Sequence, residues 1–352
     1  MDANKTTEKN EPSEVANGFF AFAVFVVLIG NLLGNSMVLC VVYHQWKNVK
    51  QRVTNLLIAN LACIDLLLGI VIVLGIIRII NFKSDISQVE CQLGGFLSNA
   101  LGAASILTLA VIAIDRYMAI VAKRGKRLKL FTVRIFIVCV WVTTISISLF
   151  PILFWGKYEY TEKSNFCKPK DGRFLLFLGI VCFVIPLSTM VFCYVNVFLK
   201  VRQHKKMIVQ SQTDCGFKKE FKTTKIVFTV LTTFIVLWAP YSIIYVLSSN
   251  SDGLDTIPPG VFKFCGFLTA MHSMCNPIIY FAMTKVFRKT AIKLFRETFS
   301  CVLPANEETA TTMDSFCCER ASCSAKSTIP RAIQAASLPQ ILPNPSPEDL
   351  KI

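Results

Sequence analysis

Seven long apolar runs, separated by short polar segments, restrict what this chain can fold into. They cover roughly residues 19–43, 54–80, 91–121, 131–154, 173–199, 223–249 and 260–283. An α-helix needs about twenty residues to cross a hydrocarbon core of roughly 30 Å, and each run is long enough. Hydrocarbon supplies no hydrogen-bond partners, so a spanning segment satisfies its own backbone, as a helix or within a closed barrel. The runs lack the strict two-residue alternation of barrel strands. The expected fold is therefore an all-α membrane protein with seven transmembrane helices. Pro151, Pro186, Pro240 and Pro277 lie within or near the ends of four runs. An interior proline costs a soluble helix about 3 kcal/mol or more. In a membrane, neighbouring helices re-satisfy the freed carbonyls, so these read as kinks.

The 352 residues carry a formal net charge of +15. The placement of that charge points to membrane topology and away from nucleic acid. Lys47, Lys50 and Arg52 follow the first run. Lys123, Arg124, Lys126, Arg127 and Lys129 follow the third. Lys200, Arg202, Lys205, Lys206, Lys218, Lys219 and Lys222 follow the fifth. The alternate loops are poorer in base: Lys83 in one, Asp252 and Asp255 in another, and a mixed long loop over 155–172. The positive-inside rule then places the N-terminus outside and the C-terminus in the cytoplasm. The chain divides into an exterior tail (1–18), a seven-helix domain (19–299) and a cytoplasmic tail (300–352). The first run is a spanning helix in this reading, not a cleaved leader. Asn4-Lys5-Thr6 is a glycosylation sequon suited to an exterior tail.

Residues 285–299 form a basic amphipathic segment. Phe287, Ile292, Leu294, Phe295 and Phe299 give one face, and Arg288, Lys289, Lys293 and Arg296 the other. This suits a short cytoplasmic helix lying on the inner leaflet. The following residues, 302–352, are rich in Ser, Thr, Pro, Ala and acids and are expected to be disordered. Of the 14 cysteines, those inside apolar runs act as small hydrophobes. Cys301, just after the amphipathic segment, is placed for palmitoylation.

Ionisable groups inside spanning helices are expensive and point to function. Asp65 sits centrally in the second run, where a carboxylate needs a proton, a cation or a polar cluster. Asn35, Ser105, Ser273 and Asn276 offer neutral groups at similar depth. One solution is a Na⁺ ion; the other is a hydrogen-bonded packing node without an ion. Asp115-Arg116-Tyr117 ends the third run. There the arginine either snorkels to the interface or pairs with Asp115, with Glu220 as a second candidate partner.

Several motifs occur in order, at least one per helix: Gly34-Asn35-Ser36-Met37-Val38, Leu61-Ala62-Cys63-Ile64-Asp65, Cys91, Asp115-Arg116-Tyr117, Trp141, Pro186 with Tyr194, Phe234 with Trp238-Ala239-Pro240, and Asn276-Pro277-Ile278-Ile279-Tyr280. The ordered set resembles the rhodopsin-like (class A) G-protein-coupled receptors over about residues 19–299. That resemblance implies a Cys91–Cys167 disulfide. It implies a sodium pocket at Asp65, Asn35, Ser105, Ser273 and Asn276, and a resting lock joining Arg116 to Asp115 and Glu220. It further implies a helix-six lever at Phe234, Trp238 and Pro240, with Tyr194, Pro277 and Tyr280 supporting the open state. The family's Cys-Trp-x-Pro reads Leu237-Trp238-Ala239-Pro240 here. His272 stands one turn before Asn276, either packed neutral or coupling sodium affinity to pH.

The resemblance also narrows the ligand. Ser98 occupies the place of the aspartate that pairs the ammonium of aminergic ligands, and Ala270 that of the lysine that holds retinal in opsins. An extracellular ligand pocket is expected from Ser98, Asn99, Gly102, Leu178, Cys182, Trp238, Tyr241, Tyr245, Phe262 and Gly266. It suits a peptide or an uncharged small molecule; ligand-free activity is the alternative. Expected partners are a heterotrimeric G protein, receptor kinases, arrestin and membrane lipids, at the plasma membrane, with no cofactor beyond an allosteric sodium ion. A transporter would carry more intramembrane charge and paired broken halves. The three histidines do not assemble an enzyme site, so no catalytic residues are expected.

Overall fold

In the computed structural model the described residues are 14–46, 52–81, 87–122, 128–154, 156–161, 166–208, 215–247 and 257–300. The apolar runs fold as helices. In chain order they are α1 (Glu14–His44), α2 (Arg52–Asn81), α3 (Gln88–Ile120) and α4 (Leu130–Leu153). Then comes an antiparallel hairpin of β1 (Tyr158–Thr161) and β2 (Phe166–Pro169). The fifth membrane helix, α5, has three stretches: Gly172–Leu178, a π-helical turn at Gly179–Val184, and Ile185–Ile208. The last helices are α6 (Cys215–Leu247), α7 (Pro259–Met283) and α8 (Lys285–Ser300). Among the described residues, six helices, α1 to α6, are long and apolar enough to cross a membrane. α7 has spanning length, 25 residues, but carries Lys263, His272, Ser273 and Asn276. Residues 1–296 form one compact unit; the second, 297–352, is described only at the end of α8.

The helix interruptions have local causes. Pro186 has no N–H for the carbonyl of Cys182, and its ring crowds that carbonyl. The π turn lies immediately before it and absorbs the mismatch. α3 starts with a capping box, in which Ser87 accepts from the Glu90 N–H and Glu90 reaches back to the Ser87 N–H. α5 starts on Asp171, whose side chain accepts from the Arg173 N–H. The hydrogen-bonded Arg173 guanidinium, with that backbone bond, holds the Asp171 carboxyl below its ordinary range.

α3 forms the centre, buried at nearly every position from Ala100 to Ala113. Gly95, Gly102, Ala103, Ala104, Ala110 and Ala113 keep its surface low, which lets neighbouring backbones approach closely. α4 lies at the edge and exposes Phe131, Ile135, Val138, Val142 and Ile145. Exposed polar side chains on the spanning helices turn back to their own backbone. Thr189 donates to the Ile185 carbonyl, Asn196 to Phe192, Thr229 to Lys225 and Thr232 to Phe228. A hydroxyl or amide facing lipid is thereby satisfied within its own helix. α8 buries Phe287 and Ala291 and exposes Ile292 and Phe295. The apolar side expected there is thus split, one part packed on the bundle and one part open.

Candidate functional site

Four of the residues expected around a cation, Asp65, Asn35, Ser273 and Asn276, come together, and Asn31 joins them. Asp65 is fully buried on α2. Its Oδ2 accepts from Asn276 Nδ2 at 2.9 Å. Asn35 Nδ2 donates to the Ser273 carbonyl at 3.0 Å and to the Asn31 side-chain oxygen at 2.6 Å. Asn31, which the sequence reading passed over, donates its Nδ2 to the Asp65 carbonyl at 2.8 Å. Three buried oxygens in this group have no partner in the protein, Asp65 Oδ1, Asn35 Oδ1 and Asn276 Oδ1; Ser105 Oγ, buried on α3, has none either. Unpartnered buried oxygens are uncommon and call for an explanation. One carboxylate among neutral oxygens matches a small hard monovalent cation in charge and in donor type, so the residues fit Na⁺.

Next to this group is an aromatic stack. Phe234 and Trp238 on α6 lie nearly parallel, 5.5 Å between centroids. His272 meets Phe234 edge-on at 4.9 Å and Trp238 at 6.5 Å. The indole rests on α3 where Gly102 leaves room; a Cβ there would stand 3.0 Å from the ring. His272 is fully buried, and neither ring nitrogen has a protein partner.

At the other end of α3, Arg116 is fully buried and ion-paired to Asp115. Its guanidinium also donates to the Thr54 hydroxyl on α2 at 2.8 Å, a partner the sequence reading did not name. The pair is internal, so Arg116 does not snorkel. The Glu220 side chain lies outside the described residues. Tyr117 packs against Phe192, Tyr194 against Phe228, and Tyr280 against Phe287. Pro277 lies against Gly34, where a Cβ would stand 2.8 Å from its ring.

The expected ligand residues fall on α3, α5, α6 and α7. Ser98 donates to the Gly94 carbonyl at 2.7 Å. Leu178, Phe262 and Gly266 are buried, while Cys182 and Tyr241 are half-buried. The Tyr245 side chain, Asn4 and Cys301 lie outside the described residues.

The hairpin is fastened to α3 twice. Cys167 on β2 is disulfide-bonded to Cys91. Tyr158 on β1 is fully buried. Its N–H donates to Gln92 Oε1, and its carbonyl accepts from Gln88 and Gln92. Its hydroxyl donates to the Ser148 carbonyl on α4 at 2.7 Å. Burial pushes that phenol up to about 12. A further polar link, also missed in the sequence, joins three helices: Trp141 donates to Asn60, and Asn60 to Thr108.

Comparison with known proteins agrees with this geometry. Residues 34–280 match the family model described as "7 transmembrane receptor (rhodopsin family)". The chain is 28% identical over 324 residues to a Gq-coupled rhodopsin of Mizuhopecten yessoensis, covering 86% of this chain and 64% of that protein. It therefore spans slightly less than two thirds of that relative's length. It is 29% identical over 284 residues to the human histamine H2 receptor, covering 77% and 78% of the two chains. The crystal structure of squid rhodopsin superposes with a TM-score of 0.70 at 22% identity, covering 83% of this chain and 89% of the other. That likeness concerns the fold. The match over residues 34–280 makes this chain a member of the rhodopsin family of seven-transmembrane receptors.

Proposed function

We propose that the protein is a plasma-membrane receptor, N-terminus outside, that binds an extracellular ligand and activates a heterotrimeric G protein through outward movement of α6. The observation that supports this most is the buried Arg116. A guanidinium held inside the bundle by Asp115 and Thr54 is costly to bury. Released by a shift of the helices, it becomes a docking group at the basic end of the bundle. Such an element has two arrangements, and a ligand that binds one of them better shifts the population. The Phe234–Trp238 stack on α6 lies between the region of Tyr241 and Phe262, where a ligand would sit, and the polar group around Asp65. Loss of aspartate at Ser98 and of lysine at Ala270 favours a peptide or an uncharged small molecule over an amine or retinal.

Na⁺ would be held by Asp65 with Ser105, Asn35, Asn276 and Ser273, and would favour the closed arrangement that gathers these residues. The tail carries Glu307-Glu308-Thr309-Ala310-Thr311-Thr312-Met313-Asp314-Ser315. Phosphorylation by receptor kinases would turn this segment into a dense anion suited to arrestin. Palmitoylation of Cys301, glycosylation of Asn4 and contact of α8 with inner-leaflet lipid complete the reading.

The test is a G-protein-activation assay in cells, unstimulated and across a ligand library, with Arg116→Ala at matched surface expression. The expected result is a signal above vector control that Arg116→Ala removes. Signal that persists unchanged in the variant overturns the mechanism.

A further inference from the structure

We infer that Asn31 is a positioning residue for the cation site, acting through Asn35, and that Gly69 exists to admit it. This inference rests on the sodium reading above. Asn31 is fully buried on α1, four residues before Asn35 and thus on the same helix face. Its backbone carbonyl accepts from Asn35 Nδ2 at 3.1 Å, and its side chain reaches further. Its amide joins two of the expected ligand residues: Nδ2 donates to the Asp65 carbonyl, and Oδ1 accepts from Asn35 Nδ2.

The direction of each amide follows from the groups around it. Backbone carbonyls only accept, so the Asp65 carbonyl claims the nitrogen end of Asn31. That leaves the Asn31 oxygen facing Asn35. The nitrogen end of Asn35 is then claimed by three acceptors: this oxygen, the Asn31 carbonyl at 3.1 Å and the Ser273 carbonyl at 3.0 Å. The oxygen end of Asn35 is left over, buried and without a protein partner. The Asn31 side chain supplies the shortest of the three bonds that set this amide with its acceptor available to a cation.

Gly69 supplies the space. It stands one turn after Asp65 on α2, and a Cβ there would come within 2.9 Å of Asn31 Nδ2. A side chain at Gly69 would force the Asn31 amide to shift from its place against the Asp65 carbonyl. Asn31 and Gly69 therefore form one device, with the amide on α1 and the gap for it on α2.

Sodium itself is the probe, with the full-length receptor purified in detergent. Thermal unfolding is followed across a sodium titration, with choline replacing sodium at constant ionic strength. The wild-type Tm should rise and saturate. Asn31→Leu should raise the half-saturating sodium concentration roughly tenfold, as loss of an outer-shell partner does in other metal sites. Gly69→Ala should move it in the same direction while retaining the Asn31 amide, and it supplies the reading if Asn31→Leu does not fold. A clasp with a merely structural role would lower Tm equally in choline and in sodium and leave half-saturation unchanged; that result overturns the inference. Should wild type respond to sodium, Asp65→Asn abolish the response, and neither Asn31→Leu nor Gly69→Ala shift it, the cation site stands and the Asn31 assignment fails. A wild type that does not distinguish sodium from choline removes the cation site and this inference with it.

Discussion

The polar group around Asp65 and the hairpin anchor around Tyr158 are built from similar parts and finished differently. Each joins separate elements through a fully buried polar side chain. At Tyr158 the N–H, the carbonyl and the hydroxyl all have partners on α3 or α4. Around Asp65 three oxygens have none in the protein. A satisfied buried network gains nothing by moving, because every alternative leaves a group unpaired. An incompletely satisfied one has affinity to spare for an ion or a second arrangement. The contrast separates a fixed anchor, which holds the hairpin, from an adjustable centre, which can respond.

The largest effect should come from emptying the anchor. Tyr158→Ala removes a buried ring and its hydrogen bond to the Ser148 carbonyl. Truncating a buried aromatic costs about 3–5 kcal/mol, so the purified variant should unfold well below wild type in choline and in sodium alike. A variant as stable as wild type would mean that the disulfide alone holds the hairpin. Crowding the anchor should cost less. A Cβ at Gly95 would overlap the Tyr158 ring, whereas Gly94 has open space. Gly95→Ala should lose about 1–3 kcal/mol, as overpacked positions do, with Gly94→Ala near neutral as the paired control. Equal Tm values for the two variants would show that the ring is not seated against α3.

Much of this arrangement was legible in the sequence, for identifiable reasons. Asp65, Asp115 and Arg116 stand out because a charge in an apolar run is expensive wherever the helix lies. The membrane runs are visible because lipid demands continuous apolar length. Asn31 was passed over although its four-residue spacing from Asn35 is plain, because an uncharged amide in an apolar run raises no comparable alarm. Tyr158 left no local signal; its importance arises from a meeting with Gln92, Gly95 and Ser148, which only the tertiary fold brings about. The bond from Arg116 to Thr54 is likewise a contact between helices. α6 begins at Cys215, ahead of the apolar run at 223, because Lys and Glu sustain a helix without making it hydrophobic.

The smallest shift in Tm, and the sharpest contrast with the anchor, is expected from Asp65→Asn. The amide is nearly isosteric with the carboxylate. Its oxygen can still accept from Asn276 Nδ2, and the cost of holding a buried charge is removed. Replacing a buried ionic group by a neutral one of similar volume is often neutral or stabilising. In choline, therefore, Asp65→Asn should unfold close to wild type or slightly above it. Sodium changes the comparison. A ligand that binds only the folded state at ten times its Kd adds about 1.4 kcal/mol, and the wild type should gain this while Asp65→Asn gains none. The two unfolding curves should converge in choline and separate as sodium replaces it. Tyr158→Ala should run parallel to wild type across the same titration, displaced downward throughout. If instead Asp65→Asn lies far below wild type even in choline, the carboxylate is a structural node like Tyr158, and the distinction between anchor and adjustable centre is lost.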